Sequence, residues 1–172
     1  MNANSESMIP RELPAEMHEG IVSSGDEELT LENRPRSILR STLTALSEGQ
    51  ISDAVAQFAD RFTFNDHALR LELTDKTRLT EFLEKSRELF PDTTLEIDCL
   101  FESGDHAIAE WRLSATESVP LGSVSHRVPF SLQGSTVIRV TNGRIVRWSE
   151  YHDQTSSLPI SLGVFFTEWT KY

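Results

Sequence analysis

The amino-acid sequence predicts an α+β fold, a cone-like α+β barrel in which a strongly curved antiparallel sheet wraps around N-terminal helices and leaves a blind pocket. Apolar residues recur at helical spacing within residues 38–46, 51–59 and 79–89. From Leu95 onwards they alternate with polar residues, and Asn142-Gly143 separates two alternating segments as a hairpin turn does. Helices followed by meandering strands are typical of α+β proteins, and the open end of such a curved sheet commonly binds small molecules.

The first 32 residues differ in composition from the rest of the 172-residue chain. Residues 1–32 contain eight acidic residues and one basic residue, Arg11, and therefore carry −7 of the net charge of −11. They are rich in Glu, Ser and Pro and show no sustained apolar period, which is typical of disorder. We predict a disordered acidic tail over residues 1–32, either a partner-binding or a solubilising extension, and one domain over residues 33–172.

Charge and cysteine content argue against several classes of protein. Residues 33–172 lack the clustered Lys and Arg that nucleic acids and anionic membranes require. No apolar run approaches the roughly 18 residues of a membrane-spanning helix, and no signal-peptide pattern is present. We therefore predict a cytoplasmic protein that binds neither nucleic acid nor membrane. Cys99 is the only cysteine, so an intrachain disulfide is impossible, and its apolar neighbours predict a core position.

Capping and breaking residues mark three helices ahead of the main sheet. Asn and Asp are suited to helix starts, whereas Gly and Pro end helices. The first helix is predicted to run from Asn33, with Pro35 in its first turn, to Gly49. The second covers residues 51–59, with Phe58 and Ala59 on its apolar face. The third lies between Asp75 and Pro91. Two short strands, residues 62–66 and 68–73, lie between the second and third helices.

Four longer strands are predicted after the third helix, at about residues 95–101, 106–116, 127–140 and 145–153. Cys99 and Phe101 are expected to point inwards, and Gly134 is a candidate β-bulge. In the last strand, one face holds Val146, Trp148, Glu150 and His152, and the other holds Ile145, Arg147, Ser149 and Tyr151. The apolar segment 158–169 can cap the pocket mouth or meet a partner subunit.

Asp66 and His67 follow a Phe-Thr-Phe strand and form one candidate site. If Asp66 faces an apolar cavity, desolvation raises its pKa towards the range useful for a general base. The alternative role is a turn-forming or helix-capping Asp. His67 can act beside it as an acid or lie at the surface.

Glu150, between Trp148 and His152, forms a second candidate site. A carboxyl group against an indole and an imidazole is suited to proton transfer; the alternative is a rim carboxylate paired with Arg112 or Arg139. His152 can orient Glu150 or lie in water. Trp111 and Trp148 form either an aromatic wall for a ligand or part of the core. The histidines show no metal-ligand spacing, so we predict no metal and no cofactor.

Two segments, Gly49–Asp66 and Asn142–Asp153, resemble the nuclear-transport-factor-2-like superfamily, including its SnoaL-like polyketide cyclase, ketosteroid isomerase and limonene epoxide hydrolase branches. The resemblance covers about residues 33–165 and implies a homodimer and a hydrophobic small-molecule ligand. It places Asp66 at the catalytic Asp of the isomerase, which moves a proton on the carbon next to a carbonyl group. Thr42 and Thr136 stand where the isomerase has its oxyanion-hole Tyr and protonated Asp.

The resemblance also places Glu150 at the water-activating Asp of the epoxide hydrolase, whose Arg and second Asp map near Trp111 and Leu113. Neither catalytic set is complete, and the fold hosts many functions. The first hypothesis is a cofactor-independent enzyme that cyclises, isomerises or hydrates a hydrophobic small molecule. Asp66 would be its base, and Glu150, with His67 or His152, would move the second proton. Predicted substrate contacts are Phe64, Thr42, Thr136, Trp111 and Trp148. The alternative hypothesis is a non-catalytic binding or dimerisation module.

Overall fold

The computed structural model describes residues 31–121 and 124–153, and within them three helices precede and flank a six-stranded sheet. The elements are α1 (Pro35–Glu48), α2 (Ile51–Ala56), β1 (Phe58–Asp66), β2 (Leu71–Leu73), α3 (Lys76–Leu89), β3 (Thr94–Ser103), β4 (His106–Leu121), β5 (Val124–Thr141) and β6 (Arg144–His152). Most of residues 1–32 and all of the segment 158–169 lie outside this range. None of the helices described is long and apolar enough to span a membrane.

The strand order in the sheet is β2-β1-β6-β5-β4-β3, and the curved sheet does not close. The predicted α+β class with helices at the N-terminus is therefore confirmed. One strand pair departs from the antiparallel prediction, because β1 runs parallel to β6 while the other neighbours are antiparallel. Strand β1 pairs with the last strand although β2, α3 and three further strands lie between them in the chain, and the contact between Asp66 and His152 spans 86 residues.

Helix α1 begins at Pro35, as predicted for a residue with a fixed φ and no free N–H, but its cap differs from the prediction. Arg34 occupies the N-cap position, and Asn33 belongs to a preceding 3-10 helix over Leu31–Asn33. Gly49 ends the helix in the left-handed region, with φ +73°. The buried face of α1, including Ile38, packs on the concave side of the sheet and forms its core with Trp148 and other apolar residues.

Helix α2 ends before Phe58, which was predicted to lie on it and instead opens β1. Three aromatic residues of β1, including Phe62 and Phe64, turn inwards together with Asp66 because alternate residues of a strand share a face. The following strand is shorter than predicted. The carboxyl group of Asp66 accepts a hydrogen bond from Leu69 N, and Arg70 adopts φ +55°, so a turn occupies the residues before β2.

A bulge in β3 overturns the predicted orientation of its second half. The pairing with β4 shifts between Ile97 and Cys99, so the side chains beyond the bulge change faces. Leu100 points into the core, whereas Phe101 is 65% exposed. Cys99 is partly exposed beside Glu110, and its predicted core position is wrong.

A second bulge changes the predicted faces of β6. Asn142 and Gly143 adopt positive φ angles of 51° and 68°, as predicted for the hairpin turn. The register with β5 then shifts by one residue near Val140, and Ile145, predicted to face away from Trp148, is fully buried in the same core. Beyond the shift, the alternation returns and keeps Trp148, Glu150 and His152 on one side.

The predicted bulge at Gly134 is absent from the ladder between β4 and β5, which continues through this residue. Gly134 is paired with Trp111, and a Cβ atom there would lie 2.6 Å from the indole ring and 2.6 Å from the Tyr151 carbonyl oxygen. Glycine is therefore needed for a close approach of side chain to backbone. This approach brings the Trp111 ring against the backbone of β5, at the wall of the cavity described next.

Candidate active site

A cavity of about 180 Å³ lies between the concave face of the sheet and the three helices. Its walls are mainly aromatic and aliphatic side chains from all three helices and from β1, β3, β4 and β5. The polar exceptions include three ionisable residues, Asp66, Glu150 and His152, which come from the ends of β1 and β6. An apolar cavity with a few converging polar groups is the usual form of a small-molecule site.

Strand pairing explains why these three side chains meet. Asp66 and Glu150 are direct partners in the parallel ladder, and His152 follows Glu150 by two residues on the same face. Sequence reasoning singled out all three residues but paired His152 with Glu150. In the structure His152 instead contacts Asp66, 86 residues away in the chain.

Asp66 is buried and holds two neighbours through its carboxyl group. The Nε2 atom of His152 lies 3.3 Å from each carboxyl oxygen, and Leu69 N donates to Oδ1 at 3.0 Å. Since a carboxylate can only accept hydrogen bonds, this contact assigns a proton to Nε2 of His152. Asp66 thus caps a turn, as in the alternative predicted for it, and its carboxyl group also lines the cavity.

Glu150 accepts a hydrogen bond from the indole Nε1 of Trp148, with 3.1 Å between donor and acceptor. Burial raises the pKa of Glu150 from 4.5 to about 7, and the charge of Asp66 acts in the same direction. The Trp148 hydrogen bond and the charge of His152 oppose this rise. The alternative of a rim ion pair does not apply to Arg112, which instead lies beside Glu96 and Asp98.

Opposing influences act on His152, whose side chain is 7% exposed. Burial lowers its pKa, but the hydrogen bond to Asp66 and the charges of Asp66, Glu150 and Asp153 outweigh burial and raise it overall. Its Nδ1 atom is buried and has no hydrogen-bond partner within the described part of the chain. A buried polar atom without a partner is costly, and this one belongs to a residue that lines the cavity.

Two of the predicted substrate contacts, Phe64 and Trp111, line the cavity. Trp148 is 1% exposed and lies behind the wall, where it stacks on Phe64 with 6.1 Å between ring centroids. It influences the cavity through its hydrogen bond to Glu150.

The other three predicted residues, Thr42, Thr136 and His67, lie away from the cavity. The hydroxyl of Thr42 donates to the Ile38 carbonyl oxygen at 2.7 Å, one turn back in α1. The Thr136 hydroxyl accepts from Trp111 Nε1 at 2.9 Å, and both threonines are fully buried. His67 is exposed and stacks on Tyr151, because it follows Asp66 and points to the opposite side of the sheet.

Sequence reasoning missed Arg87 and Ser47, which both line the cavity. Arg87 lies in the last turn of α3 and donates from Nη1 to the carbonyl oxygens of Thr93 and Ser47, at 3.0 and 3.3 Å. A signal was present, because Arg87 follows the apolar Leu83 by four residues and therefore shares its face of the helix. The described residues contain no group of three or more His, Cys, Asp or Glu arranged to hold a metal ion.

Fold and cavity together define a helix-flanked, curved-sheet protein with ionisable groups on the floor of an apolar cavity. The family profile described as a SnoaL-like domain matches residues 39–148, more than half of the chain. The chain belongs to the SnoaL-like domain family, and the resemblance noted in the sequence is confirmed. Among curated proteins, no sequence gives a significant match.

Solved structures with the same fold have low sequence identity to this chain. AclR of Streptomyces galilaeus, described as a candidate hydroxylase, has a TM-score of 0.62 and 15% identity over 75% of this chain and 84% of its own. IdmH of Streptomyces antibioticus, described as a candidate polyketide cyclase, has a TM-score of 0.62 and 18% identity over 71% of this chain and 94% of its own. An LEH-like epoxide hydrolase of M. tuberculosis has a TM-score of 0.58 and 15% identity over 71% of this chain and 84% of its own. At these identities the likeness establishes the fold alone.

Proposed function

We propose that this protein is a cofactor-independent enzyme that performs acid–base chemistry on a hydrophobic carbonyl compound. The observation that carries the proposal is the cluster of Asp66, Glu150 and His152 at one apolar cavity, with Nδ1 of His152 unpartnered among the described residues. Groups that are pushed from their ordinary pKa values and converge on a cavity are candidates for proton transfer. The polyketide cyclase and epoxide hydrolase descriptions of proteins with the same fold support this class of reaction.

The geometry favours Glu150, rather than Asp66, as the base. A carboxyl group with a pKa of about 7 is ionised in a large fraction of the molecules at neutral pH. Its carboxylate is also a stronger base than an ordinary one and is therefore better suited to remove a proton from carbon. Asp66 is occupied by His152 and Leu69 N. We therefore assign to Asp66 the positioning of His152, and to the protonated His152 the donation of a proton from Nδ1 to the carbonyl oxygen.

The proposed first step is enolisation. Glu150 removes a proton from the carbon beside the carbonyl, the C–H electron pair forms the enol double bond, and the carbonyl oxygen takes the His152 proton. In a cyclisation, the enol carbon then attacks a second carbonyl group of the same molecule. Glu150 returns its proton to the second oxygen, and the first carbonyl re-forms as its proton returns to His152. Atoms and charges balance, and both residues regain their starting states.

A test that does not require the natural substrate is the exchange of carbon-bound hydrogen for deuterium in a simple bicyclic ketone. We expect the protein to accelerate exchange beside the carbonyl of 2-tetralone in D₂O, followed by proton NMR. Positioned acid or base groups typically contribute about 10²–10⁴-fold, so Glu150→Gln should lose most of the acceleration. The matched control is Glu72→Gln, which removes an exposed carboxyl group from β2.

Carbon-13 NMR titration of the Glu150 carboxyl group, assigned with Glu150→Gln, tests the same proposal without any substrate. A pKa near 7 supports a poised base, and exchange should rise with pH through that value. A pKa near the ordinary 4.5, together with equal exchange rates in the wild type and Glu150→Gln, would sink the proposal.

The second candidate function is ligand binding without chemistry. It is favoured by Thr42 and Thr136, which stand at the oxyanion-hole positions of the isomerase alignment but are turned into the core. A cavity that binds 2-tetralone without accelerating its exchange would support this candidate over the enzyme.

We further propose that the protein is a homodimer that uses the outer face of its sheet. Phe101 and Ile108 are paired on β3 and β4 and are 65% and 42% exposed. Large exposed apolar side chains that adjoin one another are typical of subunit contacts. Sedimentation should show a dimer at micromolar concentration, and Phe101→Glu should shift the population to monomer.

A further inference from the structure

Arg87 brings an uncompensated positive charge to the cavity wall. Within residues 31–121 and 124–153 it forms no ion pair with any carboxylate. Its Nη1 atom is held by two backbone carbonyl oxygens, and neither Nε nor Nη2 has an acceptor among the same residues. A half-buried guanidinium with two donors on one edge is suited to bind a carboxylate in bidentate fashion.

Ser47 supplies a further donor beside this guanidinium. Its side-chain oxygen accepts a hydrogen bond from Leu95 N at 2.9 Å, so its own hydroxyl proton remains to be donated. Within the described chain that proton has no acceptor, and Ser47 lines the same cavity as Arg87. Because the Ser47 carbonyl also accepts from Arg87, the two donors are held close together.

Gly49 lies against the guanidinium of Arg87. A Cβ atom at Gly49 would lie 3.1 Å from Nε and 3.4 Å from Nη2 of Arg87. The absence of a side chain at position 49 therefore makes room for the Arg87 side chain at the cavity wall.

The donors and the proton-transfer residues lie towards different edges of the sheet. Thr93, which holds Arg87, directly precedes the edge strand β3, whereas Glu150 is on β6, three strand positions away. Strands are spaced about 4.8 Å apart, so the separation along the sheet is up to roughly 14 Å and is shorter across its concave side. The walls between them are apolar.

We propose that the ligand of this cavity is an apolar carboxylate, whose anionic group binds Arg87 and Ser47 while its body reaches towards Glu150 and His152. The role assigned to the end of the ligand near Glu150 rests on the proposed function. Binding of the anionic end depends only on the donors at Arg87. The substrate class is thus narrowed from a hydrophobic carbonyl compound to one that carries a carboxylate at a distance from the reacting carbonyl.

The test compares naphthalene-2-carboxylate with the neutral naphthalene-2-carboxamide, by calorimetry and by quenching of tryptophan fluorescence at neutral pH. We expect the carboxylate to bind about 10–100-fold more tightly, as charge-assisted hydrogen bonds require. Arg87→Gln should abolish this preference, Arg87→Lys should retain part of it, and Ser47→Ala should reduce it several-fold. The control is Arg40→Gln, which removes an equal charge from an exposed position on α1.

Equal affinity of the wild type for both probes would overturn the proposal without any variant. A preference that survives Arg87→Gln but disappears in His152→Gln would also overturn it, because the carboxylate would then bind the imidazole. The preference for the carboxylate is measured by binding and needs no proton transfer, so it can be tested even if ketone exchange is absent. Failure of the acid–base mechanism is therefore distinguishable from failure of the carboxylate site.

Discussion

Asp66 and Glu150 are direct partners on β1 and β6, the parallel strand pair, so two carboxyl groups face the same apolar cavity. Two carboxylates that share a site resist simultaneous ionisation. His152 lies within 3.3 Å of Asp66 and is positioned to balance one negative charge. Burial is the main cause of the raised pKa of Glu150, and the charge of Asp66 acts in the same direction.

Glu150→Gln should stabilise the protein at alkaline pH. The folded-state pKa of Glu150 is raised from 4.5 to about 7, so the folded chain keeps a proton that the unfolded chain loses in this range. The contribution of the neutral carboxyl group is complete below pH 4.5 and is lost as the pH rises through about 7. The stability of the variant relative to the wild type should therefore rise by roughly 3 kcal/mol across that window.

Urea denaturation at pH 5 and pH 8 measures this change. Glu72→Gln serves as the control, and its difference from the wild type should not follow the same course. A difference between Glu150→Gln and the wild type that is constant with pH would contradict the raised pKa.

Asp66→Asn should lower two pKa values at once. The pKa of Glu150 should fall because the charge of Asp66 helps to raise it. The pKa of His152 should fall because its hydrogen bond to Asp66 and the attraction of that carboxylate are lost. NMR titration of both side chains measures the changes, with the exposed Asp60→Asn on the same strand as control. Movement of either pKa upwards would show that the cluster is arranged differently.

Trp148→Phe should act in the opposite direction on Glu150. The indole N–H donates to Glu150 and lowers its pKa, so removal of this donor should raise the pKa above its present value of about 7. Phenylalanine keeps an aromatic ring against Phe64 and Phe58. The pH at which ketone exchange is half-maximal should rise accordingly. An unchanged midpoint would mean that the hydrogen bond does not govern ionisation.

Gly134→Ala should destabilise the fold and disturb the cavity wall. The new methyl group would lie 2.6 Å from both the Trp111 ring and the Tyr151 carbonyl oxygen, so one of them must move. Overpacking of this kind typically costs about 1–3 kcal/mol. Thermal unfolding measures the loss, and the tryptophan emission spectrum should change if the indole of Trp111 is displaced. A variant with wild-type stability and spectrum would exclude the close approach.

Local patterns predicted the class of fold, and the candidate residues chosen from them include the three ionisable groups at the cavity floor and also His67, which lies outside the cavity. Alternation in β6 placed Glu150 and His152 on one face, and the Phe-Thr-Phe strand placed Asp66 at its end. The partner of His152 could not be predicted, because it depends on the parallel pairing of β1 with β6, and pairing between distant strands leaves no local pattern.

Bulges explain the main errors in side-chain orientation. One extra residue in β3 exposes Phe101, and a one-residue shift near Val140 buries Ile145. A bulge reverses every side chain beyond it, yet it requires no particular residue type in the sequence. Thr42 and Thr136 were placed by alignment alone, and their hydroxyl groups are used by partners within the fold.

The parallel pairing of β1 with β6 has a consequence for the order of folding. Strands β3 to β6 form successive hairpins with contacts that are short in sequence, whereas Asp66 meets His152 only across a separation of 86 residues. Closure of so long a loop is slow and comes late when local hairpins can form first. We therefore expect Glu150 and His152 to come together before Asp66 joins them, so that the ionisable cluster is completed only when the first strand attaches.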